Sequence, residues 1–138
     1  MSDQRLSSLL AWYAGLTPAS LADIGNYYAA DAHFRDPFND VYGVAAIKAI
    51  FEHMFAVTEV PRFVFVEQLQ QGDQAFVTWR FDCVIRGRLW QIEGSTHLVF
   101  GADGRVVEHR DYWDAAEQLY EKLPLIGGVL RLLKRSMR

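Results

Sequence analysis

The chain has 138 residues, 51% hydrophobic and 14% aromatic, enough apolar surface for the core of one self-standing domain. Its formal charge of −3 at pH 7 lacks the basic excess of a nucleic-acid-binding surface. One cysteine, Cys83, excludes an intrachain disulfide and a cysteine-based metal cluster, and fits a reducing, cytoplasmic setting.

The opening "MSDQRLSSLLAWYAG" has an acid at position 3 and an apolar run broken by serines, unlike a secretory signal. No run of 18 apolar residues occurs that could span a membrane. Leu6, Leu9, Leu10 and Tyr13 recur at helical spacing, and Gly15 can supply a left-handed residue to stop this first helix. Thr17 and Pro18 start a second helix, with Leu21, Ile24 and Tyr28 on one face. A short strand, "AHFRD", follows, in which alternation turns His33 outward. Ile47, Ile50, Phe51, Met54 and Phe55 then predict a third helix.

From residue 62 the period changes to two, over 62–70, 74–86, 88–100 and 105–113, separated by turn signals. Ala75, Val77, Trp79, Phe81, Cys83 and Ile85 share a face that must be buried, opposite Arg80 and Asp82. In the next strand Trp90, Ile92, Gly94, Thr96, Leu98 and Phe100 share the inward face. Three helices followed by an antiparallel meander predict an α+β domain whose curved sheet closes over its helices.

The element order, with "YYAADAHFRDPF", "YGVAAIKAIF" and "GADGRVVEHRDYWD", resembles the nuclear transport factor 2-like superfamily, in its SnoaL-like and ketosteroid-isomerase-like branches. The resemblance covers residues 5–120. It implies a conical half-barrel, three N-terminal helices on a curved antiparallel sheet, wrapped around an apolar pocket. Residues 1–123 form the expected SnoaL-like domain and 124–138 a C-terminal helical tail. In the tail, Val129, Leu130, Leu132 and Leu133 alternate with Arg131, Lys134, Arg135 and Arg138, a basic amphipathic pattern. Such a helix covers the pocket mouth or a dimer edge, or else rests on an anionic membrane.

The resemblance places Asp36 where ketosteroid isomerases carry their general base. A carboxylate at the wall of an apolar cavity loses hydration and becomes a better base for a carbon acid. The same Asp-Pro also reads as a strand end that caps the following turn. For the oxyanion such chemistry creates, the corresponding donor positions hold Trp12, with Tyr13 beside it, and Thr96. On the last strand His109, Asp111 and Trp113 alternate, and the isomerase-like register points all three inward. If Asp111 accepts a proton from His109, it fixes the imidazole tautomer and makes the pair an acid–base unit. Phe34, Phe51, Phe55, Trp79, Phe81, Cys83 and Trp113 are expected to line the pocket.

"WRFD" and "RDYWD" also resemble the two acid-bearing segments of limonene-epoxide hydrolases. Strand parity, however, puts Arg80 and Asp82 on the exterior. His53 and His97 fall on solvated faces, and no histidine pair has metal-ligand spacing. Neither a glycine-rich phosphate loop nor a serine nucleophile elbow occurs. The expectation is a cofactor-free, metal-free isomerase, cyclase or dehydratase acting on a small apolar molecule, with Asp36 as base. A non-catalytic carrier or sensor is the alternative and an epoxide hydrolase the third. The chain is expected to be a homodimer through its outer sheet face.

Overall fold

The computed structural model describes residues 4–118; the tail from residue 124 lies outside them. Helix α1 (Gln4–Ala14) buries Leu6, Leu9, Leu10, Trp12 and Tyr13. It stops at Gly15 without the expected left-handed residue, the Gly15 N–H closing on the Ala11 carbonyl at 3.1 Å. Thr17 and Ser20 exchange bonds between hydroxyl and backbone N–H at 2.9 and 3.0 Å, the hydroxyl capping expected there. The helix they begin is a 3-10 helix (Ser20–Asn26), not a full α-helix.

Strand β1 (Tyr28–Arg35) starts earlier than its sequence pattern suggested. Tyr28 therefore belongs to a strand and not to the second helix. The Val106 N–H bonds the Tyr27 carbonyl at 2.8 Å, which draws the chain onto the sheet as the short helix ends. A three-residue strand, β2 (Asp40–Tyr42), which periodicity missed, turns back on β1. Helix α2 (Val44–Val57) follows Gly43, whose φ of 99° suits glycine. The meander is β3 (Glu59–Gln71), β4 (Gln74–Ile85), β5 (Arg88–Phe100) and β6 (Val106–Tyr112), and α3 (Ala115–Gln118) closes the described chain.

The six strands lie in the order β2-β1-β6-β5-β4-β3. β1 runs parallel to β6 and the other neighbours are antiparallel. The result is an α+β half-barrel, a curved, unclosed sheet with its helices packed on the inner face. The predicted parity holds along β4 and β5, where Ala75, Val77, Trp79 and Cys83 are buried with Trp90, Ile92, Thr96, Leu98 and Phe100. An irregularity between Phe65 and Glu67 moves β3 out of strict alternation. Phe63 and Phe65 thus pack inward, while Leu69 pairs with Phe76 and both are exposed. Among the described residues no helix is long and apolar enough to cross a membrane.

Candidate active site

Strand curvature leaves the inner face standing off from the helices, and the gap is a cavity of about 210 Å³. Tyr13 enters it from α1, and Ile50, Phe51 and Met54 from one face of α2. The sheet contributes Phe63 and Phe65 from β3, Trp79 and Phe81 from β4, and Ile92 and Thr96 from β5. Phe34 and Asp36 at the end of β1, with His109, Asp111 and Trp113 on and beyond β6, complete the wall.

Apart from Asp36, the polar groups of this wall form one hydrogen-bonded chain that continues to Tyr28. The Trp79 indole N–H donates to Thr96 Oγ1 at 2.8 Å, and the Thr96 hydroxyl donates to Asp111 Oδ1 at 2.5 Å. His109 Nε2 lies 2.8 Å from the same oxygen. A carboxylate can only accept, so Nε2 carries a hydrogen, and in the neutral imidazole Nδ1 accepts. Tyr28 Oη donates to Nδ1 at 2.7 Å, and Tyr13 Oη is in short hydrogen-bond contact with Tyr28 Oη. Burial is the main cause that pushes both phenols well above their ordinary range. For Tyr13 the Tyr28 bond opposes that rise and the Asp111 charge adds to it. For Tyr28 both the Tyr13 contact and the Asp111 charge add to it. Both tyrosines therefore act as hydrogen-bond donors. Trp79 reaches Thr96 because its ring lies across Gly94, where a Cβ would come within 2.6 Å of the indole.

His109 and Asp111 thus stand together as the alternation on β6 suggested, and Tyr13, Thr96, Phe34, Phe51, Trp79, Phe81 and Trp113 border the same cavity. Asp36 also borders it, but its carboxylate holds the β1–β2 turn. Oδ1 accepts the N–H groups of Phe38 and Asn39 at 2.8 and 2.7 Å, and the Asn39 amide reaches both oxygens at 3.1 and 3.2 Å. Three expected lining residues are elsewhere. Trp12, one position round the helix from Tyr13, points at the 3-10 helix and donates to the Ser20 carbonyl at 3.1 Å. Phe55 packs on the core at the edge of the α2 stripe, outside the cavity wall. Cys83 pairs with Trp90 one inward rung beyond Phe81 and Ile92, and burial pushes its thiol up.

Arg80 and Asp82 form a two-bond pair at 2.9 and 3.0 Å away from the cavity, as their parity required. His33 is on the exterior but is not merely solvated: it bonds Asp40 at 2.5 Å and Glu108 at 2.9 Å. His97 bonds Gln74 at 3.0 Å. Among the described residues no group of three or more His, Cys, Asp or Glu could hold a metal ion. Sequence reasoning missed Tyr28 and the lining residues Ile50, Met54, Phe63, Phe65 and Ile92; helical spacing signalled burial of Tyr28 but not its strand or the partner of its hydroxyl.

Solved structures share this architecture at low sequence identity. A ketosteroid isomerase-like protein from Catenulispora acidiphila, crystallised with trimethylamine, is 18% identical with a TM-score of 0.72, covering 86% of this chain and 92% of its own. A SnoaL-like polyketide cyclase assignment from Jannaschia sp. CCS1 is 16% identical at 0.71, over 83% and 88%. An epoxide hydrolase of M. tuberculosis similar to limonene-epoxide hydrolase is 14% identical at 0.71, over 96% of both chains. At these identities the likeness establishes the fold alone. No curated protein sequence matches the chain. The SnoaL-like domain family matches residues 9–109, from the first helix that carries Tyr13 to the histidine at the centre of the polar chain, and the protein belongs to that family.

Proposed function

We propose that this chain binds a small, mostly apolar molecule in the cavity and moves a proton on it without a cofactor, in an isomerisation, cyclisation or dehydration. Asp111 is the group that takes and returns the proton. One observation carries the reading. Oδ1 of Asp111 holds both the Thr96 hydroxyl and the His109 N–H, while Oδ2 has no hydrogen bond among the described residues. A carboxylate held by one oxygen presents the other in a set direction to whatever fills the cavity. A proton arriving at Oδ2 leaves Oδ1 still accepting from both donors, so the acid is in place to deliver that proton to a second atom of the ligand.

Asp36, the base expected from the resemblance, holds both turn N–H groups on Oδ1 and also has the Asn39 amide at 3.2 Å from Oδ2, so neither of its oxygens is free of a protein donor as Asp111 Oδ2 is. The bound trimethylamine of the Catenulispora structure shows that this fold can hold a small molecule, which supports the pocket reading. Exposed Leu69, Phe76 and Tyr112 support a homodimer through the outer sheet face, which sedimentation velocity would test.

A non-catalytic carrier is the second reading, and a specific feature favours it. The donor groups of Trp79, Thr96, His109 and Tyr28 are all spent within the protein, so no donor among them awaits an oxyanion. Deuterium uptake from D2O into small cyclic ketones and 1,3-diketones, followed by NMR, separates the two. Asp111→Asn is expected to slow uptake by about 10²–10⁴-fold, and Asp36→Asn by much less. Uptake at the wild-type rate in Asp111→Asn would sink the assignment, and no uptake above the protein-free rate would favour the carrier.

A further inference from the structure

The described wall of the cavity carries two acids and no basic chain. Asp36 and Asp111 stand in it, and no lysine or arginine is among the described lining residues. Eight of the 15 lining side chains are Phe, Tyr or Trp, so most of the wall a ligand meets is aromatic ring. The faces of such rings are electron-rich and attract positive charge. The donor groups of Trp79, Thr96, His109 and Tyr28 point at protein partners and not at the space. An anion entering this space meets two acids and no lysine or arginine among the described residues. A cation meets an open carboxylate oxygen and a largely aromatic lining.

We propose that the occupant is an organic cation, a tertiary or quaternary ammonium on an apolar arm, its charge held between Asp111 Oδ2 and the aromatic wall. The proposal rests on reading the cavity as the ligand site; an ammonium paired with Oδ2 leaves that oxygen unable to take a proton from carbon, so the proposal goes with the carrier reading and not with Asp111 as base. Size narrows the class: a cavity of about 150 Å³ holds benzene, so about 210 Å³ suits a single ring or a compact alkyl group bearing a small ammonium.

Three probes of similar size test it by chemical-shift titration of the full chain: phenyltrimethylammonium, its uncharged isostere tert-butylbenzene, and benzoate. The cation should bind at least about tenfold more tightly than the isostere, and benzoate should not bind. In Asp111→Asn the preference should shrink to about threefold or less, the rings alone remaining. Because the comparison of isosteres is made on the wild-type protein, it stands even if the variant folds poorly. Binding of tert-butylbenzene or benzoate as tight as the cation overturns the proposal while leaving the cavity a ligand site. A preference undiminished in a folded Asp111→Asn overturns the placement of the charge. Failure of all three to bind overturns the proposal together with the cavity reading.

Discussion

Asp111 is positioned by residues that do not resemble catalytic groups. Trp79 steadies Thr96, Thr96 steadies Asp111, and the first of these contacts depends on Gly94, directly across the β4–β5 ladder. A Cβ on residue 94 would fall 2.6 and 2.7 Å from two carbons of the Trp79 ring and 3.0 Å from the Tyr112 carbonyl. The backbone of β6 blocks one escape, so the indole must yield. We expect Gly94→Ala to cost about 1–3 kcal/mol, the usual range for overpacking, and to break the Trp79–Thr96 bond. Urea denaturation reads the first effect, and the indole N–H proton shift of Trp79 the second. An unchanged stability and an unchanged shift would mean that the ring does not lie across the glycine. From sequence, Gly94 was legible as an inward position and Thr96 as a donor, but the bond from the Trp79 indole to Thr96 depends on a packing contact across strands that no local pattern encodes.

At the scale of elements, period two fixed the faces of β4 and β5, because one buried face forces strict alternation. The same rule was blind to β2, whose three residues are too few to show a period, and to the irregularity in β3. Helical spacing, in turn, assigned Tyr28 to a helix, since its distance from Leu21 and Ile24 suits one until the short 3-10 segment ends. What anchors β2 is His33, which reaches Asp40 on β2 and Glu108 on β6 and stacks on Tyr42 with ring centroids 4.3 Å apart. The Asp40 bond, opposed by partial burial and helped by Glu108, raises the His33 pKa above its usual 6.5. A histidine with a raised folded pKa stabilises fully below its unfolded value, and that contribution is lost as pH rises through the folded value. The melting temperature of wild type minus that of His33→Gln should therefore be largest near pH 5.5 and shrink by about pH 8.5. A difference that grew with pH would reverse the sign and refute the clamp. Since β2 follows the turn that carries Asp36, loosening it should also loosen that rim of the cavity.

Taken as a whole, the molecule keeps a hole where most domains of its size pack solid. Close packing would gain dispersion contacts for Phe63, Phe65, Phe81 and Ile92, so the space is retained at some cost to stability. A ligand that fills it binds the folded state alone and must raise the melting temperature. At one hundred times its dissociation constant the gain is about 2.7 kcal/mol, a rise on the order of 5–10 °C for a chain of this length. With phenyltrimethylammonium as the probe, scanning calorimetry should show that rise in the wild type. Ile92 lies on the floor of the cavity opposite Phe81, so Ile92→Phe places a ring in the space itself. We expect this variant to melt within about 3 °C of the unliganded wild type, its new contacts offsetting its crowding, and to show no rise with the probe. The paired result matters more than either half. A variant that still responds to the probe would place the ligand elsewhere, and a large drop in melting temperature would mean that the space is too small to accept a ring. Parity on β4 and β5 predicted a greasy interior but not whether it was full; the volume emerges only when helix and sheet are set against each other, and the chemistry depends on it.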